Sequence, residues 1–338
     1  MSITRFGDDG RPGVLGIGLA LLSALTFGTA GTFGGSLMAA GWTPGAVVTL
    51  RIGIAALVLT IPALVALRRM ERRALRRGIG EVLAFGLVAI AIAQLTFFNA
   101  VKRLDVGVAL LLEYGGILLV VGWMWLRHKQ RPRRLTVIGG VAALAGLALV
   151  LDPAGGRLDL VGVLWASLAG VCLAVYFTMA GRAESAVPPL VLAWAGMAVG
   201  AIALGVAAAA GVLPFRTSGA PVTLLDMHVS WVVPVGGLAL VAGAFAYASG
   251  IAASRVLGAK VASFAGLTEV LFAVLIAWAL LGQSPGPWQL TGGLVVLLGI
   301  ALVRADEQQG DRLADQSEAP APAASVSAEN AVSAAAAS

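Results

Sequence analysis

Three formally charged residues lie inside long apolar runs of the sequence: Arg51, Glu113 and Glu269. An Arg or an acidic residue at the middle of a membrane helix costs about 2.5 to 3.5 kcal/mol on insertion scales, so such residues usually face a bundle interior or a water-filled cavity. The two apolar runs before Glu269 carry no basic residue at their centres that could neutralise it. We interpret Glu269 as a candidate for binding a proton; the alternative is an acid that only hydrogen-bonds a neighbouring helix.

Uncharged polar side chains in the neighbouring apolar runs could complete a central site with these charges. Taken singly, each is explained more simply by a hydrogen bond between helices. The candidates are Gln94, Thr96, Asn99, Tyr114, Tyr176, Tyr247 and Thr268. We predict no catalytic residue, metal site or cofactor, because the sequence has no Walker-type phosphate loop, no nucleophile motif and no histidine cluster.

The composition indicates that these residues belong to a helical bundle in lipid. Of 338 residues, 59% are hydrophobic and 12% are charged, whereas about 25% are charged in an ordinary soluble domain. Many of the 44 glycines fall inside the apolar runs, where small residues let membrane helices approach closely. The net charge of +6 comes from short basic clusters that are too small to grip nucleic acid.

A bilayer core about 30 Å thick is crossed by about 20 mainly apolar helical residues. Ten segments reach or approach that length, which predicts an all-α membrane protein with ten transmembrane helices. Residues 1–12 are expected to form a cytoplasmic N-terminal segment, and 305–338 a disordered cytoplasmic tail. The ten segments are 13–36, 45–67, 81–101, 106–126, 135–151, 160–180, 190–213, 230–251, 259–281 and 288–303.

The distribution of basic residues predicts the orientation of these helices. With the N-terminus inside, four of the 23 Lys and Arg residues fall in outside loops, namely Lys102, Arg103, Arg157 and Arg216. Arg51 is within a helix, and the others lie on the inside, which satisfies the positive-inside rule. We therefore expect a multi-pass protein of the cell membrane with both termini in the cytoplasm.

The same arrangement gives the depth of the charged residues. Glu113 lies about 12 Å and Glu269 about 15 Å inside their helices, at matching positions of the two halves. Arg51 lies about 9 Å deep in the same leaflet half as Glu113, so a structural ion pair between them is an alternative to a functional role. Tryptophans near helix ends are interpreted as interfacial anchors: Trp42, Trp123, Trp125, Trp231 and Trp288.

The sequence contains an internal repeat. LGIGLALLSALTFGTAGTF from Leu15 is similar to LVGVLWASLAGVCLAVYFT from Leu160, and TVIGGVAALAGLALV is similar to LTGGLVVLLGIALV in the same order. Each copy, 13–151 and 160–303, holds five predicted helices. Because five is an odd number, the second copy enters the membrane in the opposite direction from the first. The chain is therefore predicted to form two inverted five-helix repeats, an arrangement that can expose a central site alternately to either side of the membrane.

Two segments resemble a known family. AVKRLDVGVALLLEYGGILLVVGWMWLRHKQRPRRLTVIGG and AASRVLGAKVASFAGLTEVLFAVLIAWALLGQSPGPWQLTGG resemble the EamA-type units of the drug/metabolite transporter (DMT) superfamily, over residues 14–303. VGVALLLEYGG looks particularly like the branch of amino-acid exporters, which includes threonine and homoserine exporters. The chain departs from the family pattern at three places. Val270 follows Glu269 where relatives often have a proline, and Gln283 stands where they often have a glutamate. Relatives also often carry a proline near the positions of Gly115 and Gly116.

The resemblance implies a secondary transporter that exports amino acids or similar small polar metabolites by alternating access, with a proton as the coupling ion and sodium as the alternative. The expected partners are a small-molecule substrate and the lipid bilayer. A channel or a structural membrane scaffold is the main rival, and an intramembrane enzyme a weaker one.

Overall fold

The computed structural model describes residues 11–68, 72–116, 134–150, 159–182, 187–225 and 227–318. Within these ranges the chain is mostly helical, with one antiparallel hairpin of strands β1 (Val222–Leu224) and β2 (Met227–Val229). The α-helices in chain order are α1 Arg11–Ala39, α2 Pro44–Leu67, α3 Arg72–Ala84, α4 Ala93–Val101, α5 Val106–Gly116, α6 Arg134–Val150, α7 Leu160–Ala180, α8 Pro189–Ala209, α9 Val232–Gly236, α10 Ala246–Gly266, α11 Thr268–Leu281 and α12 Pro287–Glu318.

Two π-helical segments interrupt the third long helix of each half. Phe85–Ile92 joins α3 to α4, and Gly237–Phe245 joins α9 to α10. A π-helical segment widens the helix locally and often occurs near a functional site. The two halves of the chain therefore share this irregularity, which the sequence analysis did not predict.

Six helical segments of the described chain are long and apolar enough to cross a membrane: Val14–Ala39, Pro44–Leu67, Gly78–Val101, Leu160–Ala180, Pro189–Ala209 and Val232–Gly258. Four shorter apolar helices accompany them: Val106–Gly116, Arg134–Ala143, Thr268–Leu281 and Pro287–Leu302. The predicted segments 106–126 and 135–151 extend outside the described residues, and 259–281 is divided by the break between α10 and α11. Six of the ten predicted spans therefore have the required length here.

The helix boundaries follow local signals. The Thr43 hydroxyl accepts the Ala46 N–H at 3.4 Å, and Pro44 opens α2. Asp159 caps α7 by accepting the Gly162 N–H at 3.0 Å, and it forms a salt bridge with Arg103. The Gly162 N–H and the Arg103 guanidinium hold the pKa of Asp159 below its usual value. These contacts join the start of α7 to the loop between α4 and α5.

The last helix is longer than predicted. α12 continues to Glu318, so residues 305–318 of the predicted disordered tail are helical, while 319–338 lie outside the described residues. Extending a formed helix adds one hydrogen bond per ordered residue, and residues 304–318 are rich in good helix formers. Asp306 also accepts hydrogen bonds from the backbone N–H and the hydroxyl of Thr136, at 3.1 and 2.6 Å, which attaches α12 to the start of α6.

The two halves interlock through corresponding helices. α2 packs along α8 in the antiparallel sense, since Gly45 at the start of α2 meets Leu213 beyond the end of α8. Near the other end of this pair, Trp194 of α8 donates to the Thr60 hydroxyl at 3.1 Å. α6 packs along α12, α1 packs against α10 and α11, and α7 packs against α4. The first helix of each half, α1 or α7, therefore packs against helices of the other half.

The β1–β2 hairpin and its flanking residues cover one end of the bundle, called here the hairpin end. The Trp42 side chain is only 4% exposed, donates from Nε1 to the Ser218 carbonyl at 2.9 Å and packs on Trp231. The Thr43 hydroxyl donates to the Pro214 carbonyl at 2.9 Å. The interpretation of Trp42 as a membrane-interface anchor is therefore wrong, because the hairpin segment buries it.

Candidate functional site

A small cavity lies between the two halves of the chain, with a volume of about 60 Å³. This space could hold a few water molecules. It is called here the central cavity, and side chains from α1, α2, α4, α5, α7, α10 and α11 line it. Seven of the ten candidate residues proposed from the sequence meet there: Arg51, Gln94, Glu113, Tyr114, Tyr176, Tyr247 and Glu269.

Three other polar residues that the sequence analysis singled out do not line the central cavity. Each of them bonds to a backbone carbonyl three or four residues earlier. The Asn99 amide donates to the Leu95 carbonyl at 2.7 Å, and the Thr268 hydroxyl donates to the Ala265 carbonyl at 2.7 Å. The Thr96 hydroxyl bonds in the same way to Ile92 and Ala93. The structure therefore favours a local backbone role for these three residues.

Arg51 is almost fully buried, and its guanidinium hydrogen-bonds to neutral groups. It donates to the side-chain oxygen of Gln94 and to the carbonyl of Ala242 in the second π-helical segment. The aromatic rings of Phe27 and Phe98 lie 5.9 and 5.7 Å from its Cζ atom, within the range of cation–π attraction. Among the described residues, Arg51 forms no salt bridge, so the alternative of an Arg51–Glu113 ion pair does not describe this structure.

A chain of hydrogen bonds continues from Arg51 across the interface between the halves. The Gln94 amide donates to the Tyr247 hydroxyl on α10 at 2.8 Å. The Tyr247 ring packs edge-on against Phe27 at 4.9 Å and against Tyr176 at 5.9 Å between centroids. Residues from α1, α2, α4, α7 and α10 thus form one side of the central cavity, and their contacts orient Arg51.

The two carboxyl groups reach the central cavity from α5 and α11. The Tyr114 hydroxyl donates to Glu269 Oε2 at 3.0 Å, which links the two halves next to Glu113. The backbone at Glu113 lies tightly against α7, because a Cβ atom on Gly170 would be 2.3 Å from the Glu113 carbonyl oxygen. Only glycine at position 170 allows α5 and α7 to approach this closely.

The sequence predicts Glu269 well inside one continuous helix, 259–281, and the structure differs. The bend at Gly258, which has a φ of 79°, lies just before this segment, but the helix breaks again within it at Leu267. Glu269 therefore lies in the first turn of α11, where the N-terminal end of the helix dipole favours a negative charge.

Sequence reasoning missed several residues of the central cavity: Ser23, Phe27, Phe97, Phe177, Gly250 and Ser254. In a helix that is apolar on every side, the sequence does not indicate whether a small or aromatic residue faces the cavity or the lipid. Only the charged residues and the larger polar side chains were distinctive enough to find.

Several long apolar helices arranged in two interlocking halves around a polar cavity define a membrane protein of the solute-transporter class. The EamA-like transporter family matches residues 14–152 and 160–305, so the chain belongs to this family and carries two of its repeats. The resemblance to the DMT superfamily is confirmed. The chain is a multi-pass membrane transporter, and it is not an enzyme.

Two curated proteins are similar to this chain. The "Uncharacterized transporter YwfM" of Bacillus subtilis is 27% identical over 229 residues, which cover 64% of this chain and 71% of the relative. The "Uncharacterized inner membrane transporter YicL" of Salmonella typhimurium is 22% identical over 237 residues, covering 69% of this chain and 76% of the relative. A solved crystal structure is 19% identical with a TM-score of 0.56, covers 87% of this chain and 98% of its own, and supports the fold alone.

Proposed function

We propose that this protein is a secondary transporter that exports amino acids or similar small polar metabolites by alternating access. The observation that carries the proposal is the meeting of Arg51, Glu113 and Glu269 in one cavity between the two halves. A guanidinium suits the carboxylate of an amino acid, and a carboxylate suits its ammonium group. Such a cavity is therefore complementary to a small zwitterion.

The size of the central cavity supports a transport cycle with large conformational changes. A volume of about 60 Å³ holds water but is far below the roughly 300 to 1,000 Å³ of ordinary ligand pockets. A metabolite can enter only if the halves separate on one side. The antiparallel pairing of α2 with α8 supports two inverted repeats, which provide two equivalent ways of opening.

The proposed membrane arrangement has ten crossings, with both termini in the cytoplasm and the hairpin end outside. The basic residues support this orientation, since in the described part of the chain few of them, among them Lys102, Arg103 and Arg216, belong to the hairpin end. The four short apolar helices would complete the bundle beside the six long ones. A proton that binds to Glu269 is the proposed coupling ion.

Counterflow in proteoliposomes tests the proposed function directly. Vesicles containing the purified protein are loaded with an unlabelled mixture of amino acids, and the uptake of each labelled amino acid is measured. We expect saturable uptake of a small group of amino acids and its loss in the Arg51→Gln variant. Gly205→Ala is the control, because a Cβ atom at that position meets nothing within 4 Å. Conductance without saturable exchange would support a channel instead, and no flux in the wild type would overturn the proposal.

A further inference from the structure

We propose that Tyr176 and Ser254 form a polar subsite in the central cavity that hydrogen-bonds an uncharged hydroxyl or amide group of the substrate, and that Gly250 limits the size of that group. This inference rests on the proposed function, since it assigns a second point of recognition within the same site. It is separate from Arg51, Glu113 and Glu269, the charged residues of the cavity.

The first observation is that both hydroxyls are buried without a hydrogen-bond partner in the described part of the chain. Tyr176 is 6% exposed and Ser254 is 0% exposed, and both line the central cavity. Neither hydroxyl oxygen has a hydrogen-bond partner among the described residues. Buried polar groups in folded proteins are nearly always paired, so two unpaired hydroxyls on one cavity indicate a partner that comes from outside the chain.

The second observation is the position of Gly250, beside the Tyr176 hydroxyl and on the same helix as Ser254. Tyr247, Gly250 and Ser254 follow one face of α10, and Ser254 lies one turn, about 6 Å, beyond Gly250. A Cβ atom on Gly250 would be 2.8 Å from the Tyr176 hydroxyl and 2.6 Å from the Ser23 hydroxyl. The missing side chain thus leaves the Tyr176 hydroxyl free beside the α10 backbone.

The chemistry of the subsite follows from its donors and acceptors. Each hydroxyl can donate one hydrogen bond and accept others, so the pair suits a hydroxyl or an amide, which also both donates and accepts. The nearby rings of Phe177 and Tyr247 pack edge-on against the Tyr176 ring. A substrate without such a group would leave both hydroxyls unpaired and would be disfavoured.

The first test uses the purified protein without substrate. If the two hydroxyls are free for a ligand, Tyr176→Phe and Ser254→Ala remove no hydrogen bond and leave the thermal midpoint unchanged or higher. The matched controls are Tyr247→Phe, which loses the bond to Gln94, and Ser23→Ala, which loses a 2.9 Å bond to the Ala246 carbonyl. Both controls should lower the midpoint. A similar loss in Tyr176→Phe or Ser254→Ala would overturn the subsite, whatever the protein transports.

The second test compares two probes that differ by one hydroxyl, L-serine and L-alanine, in counterflow. We expect the wild type to prefer serine by about tenfold or more and Ser254→Ala and Tyr176→Phe to lose most of this ratio. Gly250→Ala should reduce serine uptake more than alanine uptake, whereas Gly205→Ala should not change the ratio. If flux occurs and the variants keep the wild-type ratio, the subsite is wrong and the proposed function stands. If neither probe nor any other amino acid is transported, the proposed function fails, and the thermal comparison alone decides whether the hydroxyls are free.

Discussion

Arg51 bonds to both halves of the chain in the central cavity, to Gln94 in the first and to Ala242 in the second. Its guanidinium is held by an amide oxygen and a backbone carbonyl, and among the described residues no carboxylate lies within salt-bridge distance of it. Burying an unpaired charge is costly, and a cavity that admits water or an anionic ligand group reduces that cost. The residue is therefore suited to bind a substrate carboxylate.

Replacing Arg51 with lysine tests whether geometry matters as well as charge. Lysine keeps the positive charge but lacks the planar fork that reaches Gln94 and Ala242 together. We expect Arg51→Lys to weaken substrate affinity in counterflow by about tenfold or more while expression in the membrane stays normal. Unchanged affinity would mean that Arg51 acts as a general charge and that its two contacts do not orient it for the substrate.

The Glu269→Gln variant tests proton coupling. Glutamine can still accept the hydrogen bond from Tyr114, so the link between α5 and α11 remains, but the side chain no longer binds a proton. We expect counterflow to persist and accumulation driven by a pH gradient to be lost. Asp105→Asn, which changes an exposed carboxylate at the hairpin end, is the control. An unchanged response to the gradient in Glu269→Gln would exclude Glu269 as the coupling site.

At the scale of the helices, contacts with glycines close the space between the central cavity and the hairpin end. A Cβ atom on Gly31 would be 2.3 Å from Val106, and one on Gly34 would be 2.0 Å from Phe98. Next to the Gly34–Phe98 contact lies an open pocket of about 800 Å³, lined by Gly35, Val101 and other residues of the hairpin end. The packing of α1 against α4 and α5 is therefore the barrier that a substrate must pass on this side.

A reversible crosslink tests this barrier. A Cβ atom on Gly35 would lie 3.7 Å from Val101 Cγ1, the position that the sulfur of a cysteine at 101 can take, so we expect cysteines at positions 35 and 101 to form a disulfide. We expect oxidation of the Gly35→Cys/Val101→Cys variant, in a Cys172→Ala background, to stop counterflow and a reducing agent to restore it. Undiminished flux through the crosslinked protein would show that α1 and α4 need not separate.

The matched control for this crosslink joins α2 to α8. A Cβ atom on Gly53 would lie 3.7 Å from Ala201 Cβ, so Gly53→Cys/Ala201→Cys can form a comparable disulfide. These two helices occupy corresponding places in the halves, and an exchange of conformations between the halves leaves their contact in place. We expect this crosslink to be tolerated. Loss of transport in both variants would indicate a general effect of crosslinking.

At the scale of the whole molecule, the orientation in the membrane is open to a direct measurement. His228 on β2 and Arg182 after α7 are exposed at opposite ends of the bundle. In a Cys172→Ala background, we expect His228→Cys to react with a membrane-impermeant maleimide in intact cells and Arg182→Cys to react only after permeabilisation. The opposite pattern would reverse the proposed topology and place both termini outside.

The sequence alone was sufficient for the class of protein and for part of the candidate site. The runs of apolar residues are a local property that a bilayer imposes on every spanning segment, so they were readable without a structure. Charged residues are so costly in such runs that Arg51, Glu113 and Glu269 were conspicuous. The repeat was visible because both copies keep similar residues in the same order.

Only the tertiary structure decided which side chains face each other. The partners of Arg51, the free hydroxyls of Tyr176 and Ser254, and the burial of Trp42 under the hairpin depend on how helices distant in sequence are rotated and packed. In helices that are apolar on every side, the sequence does not indicate which face turns inward. The break at Leu267 was likewise seen only in the structure, and it places Glu269 in the first turn of α11, beside Tyr114 of the other half.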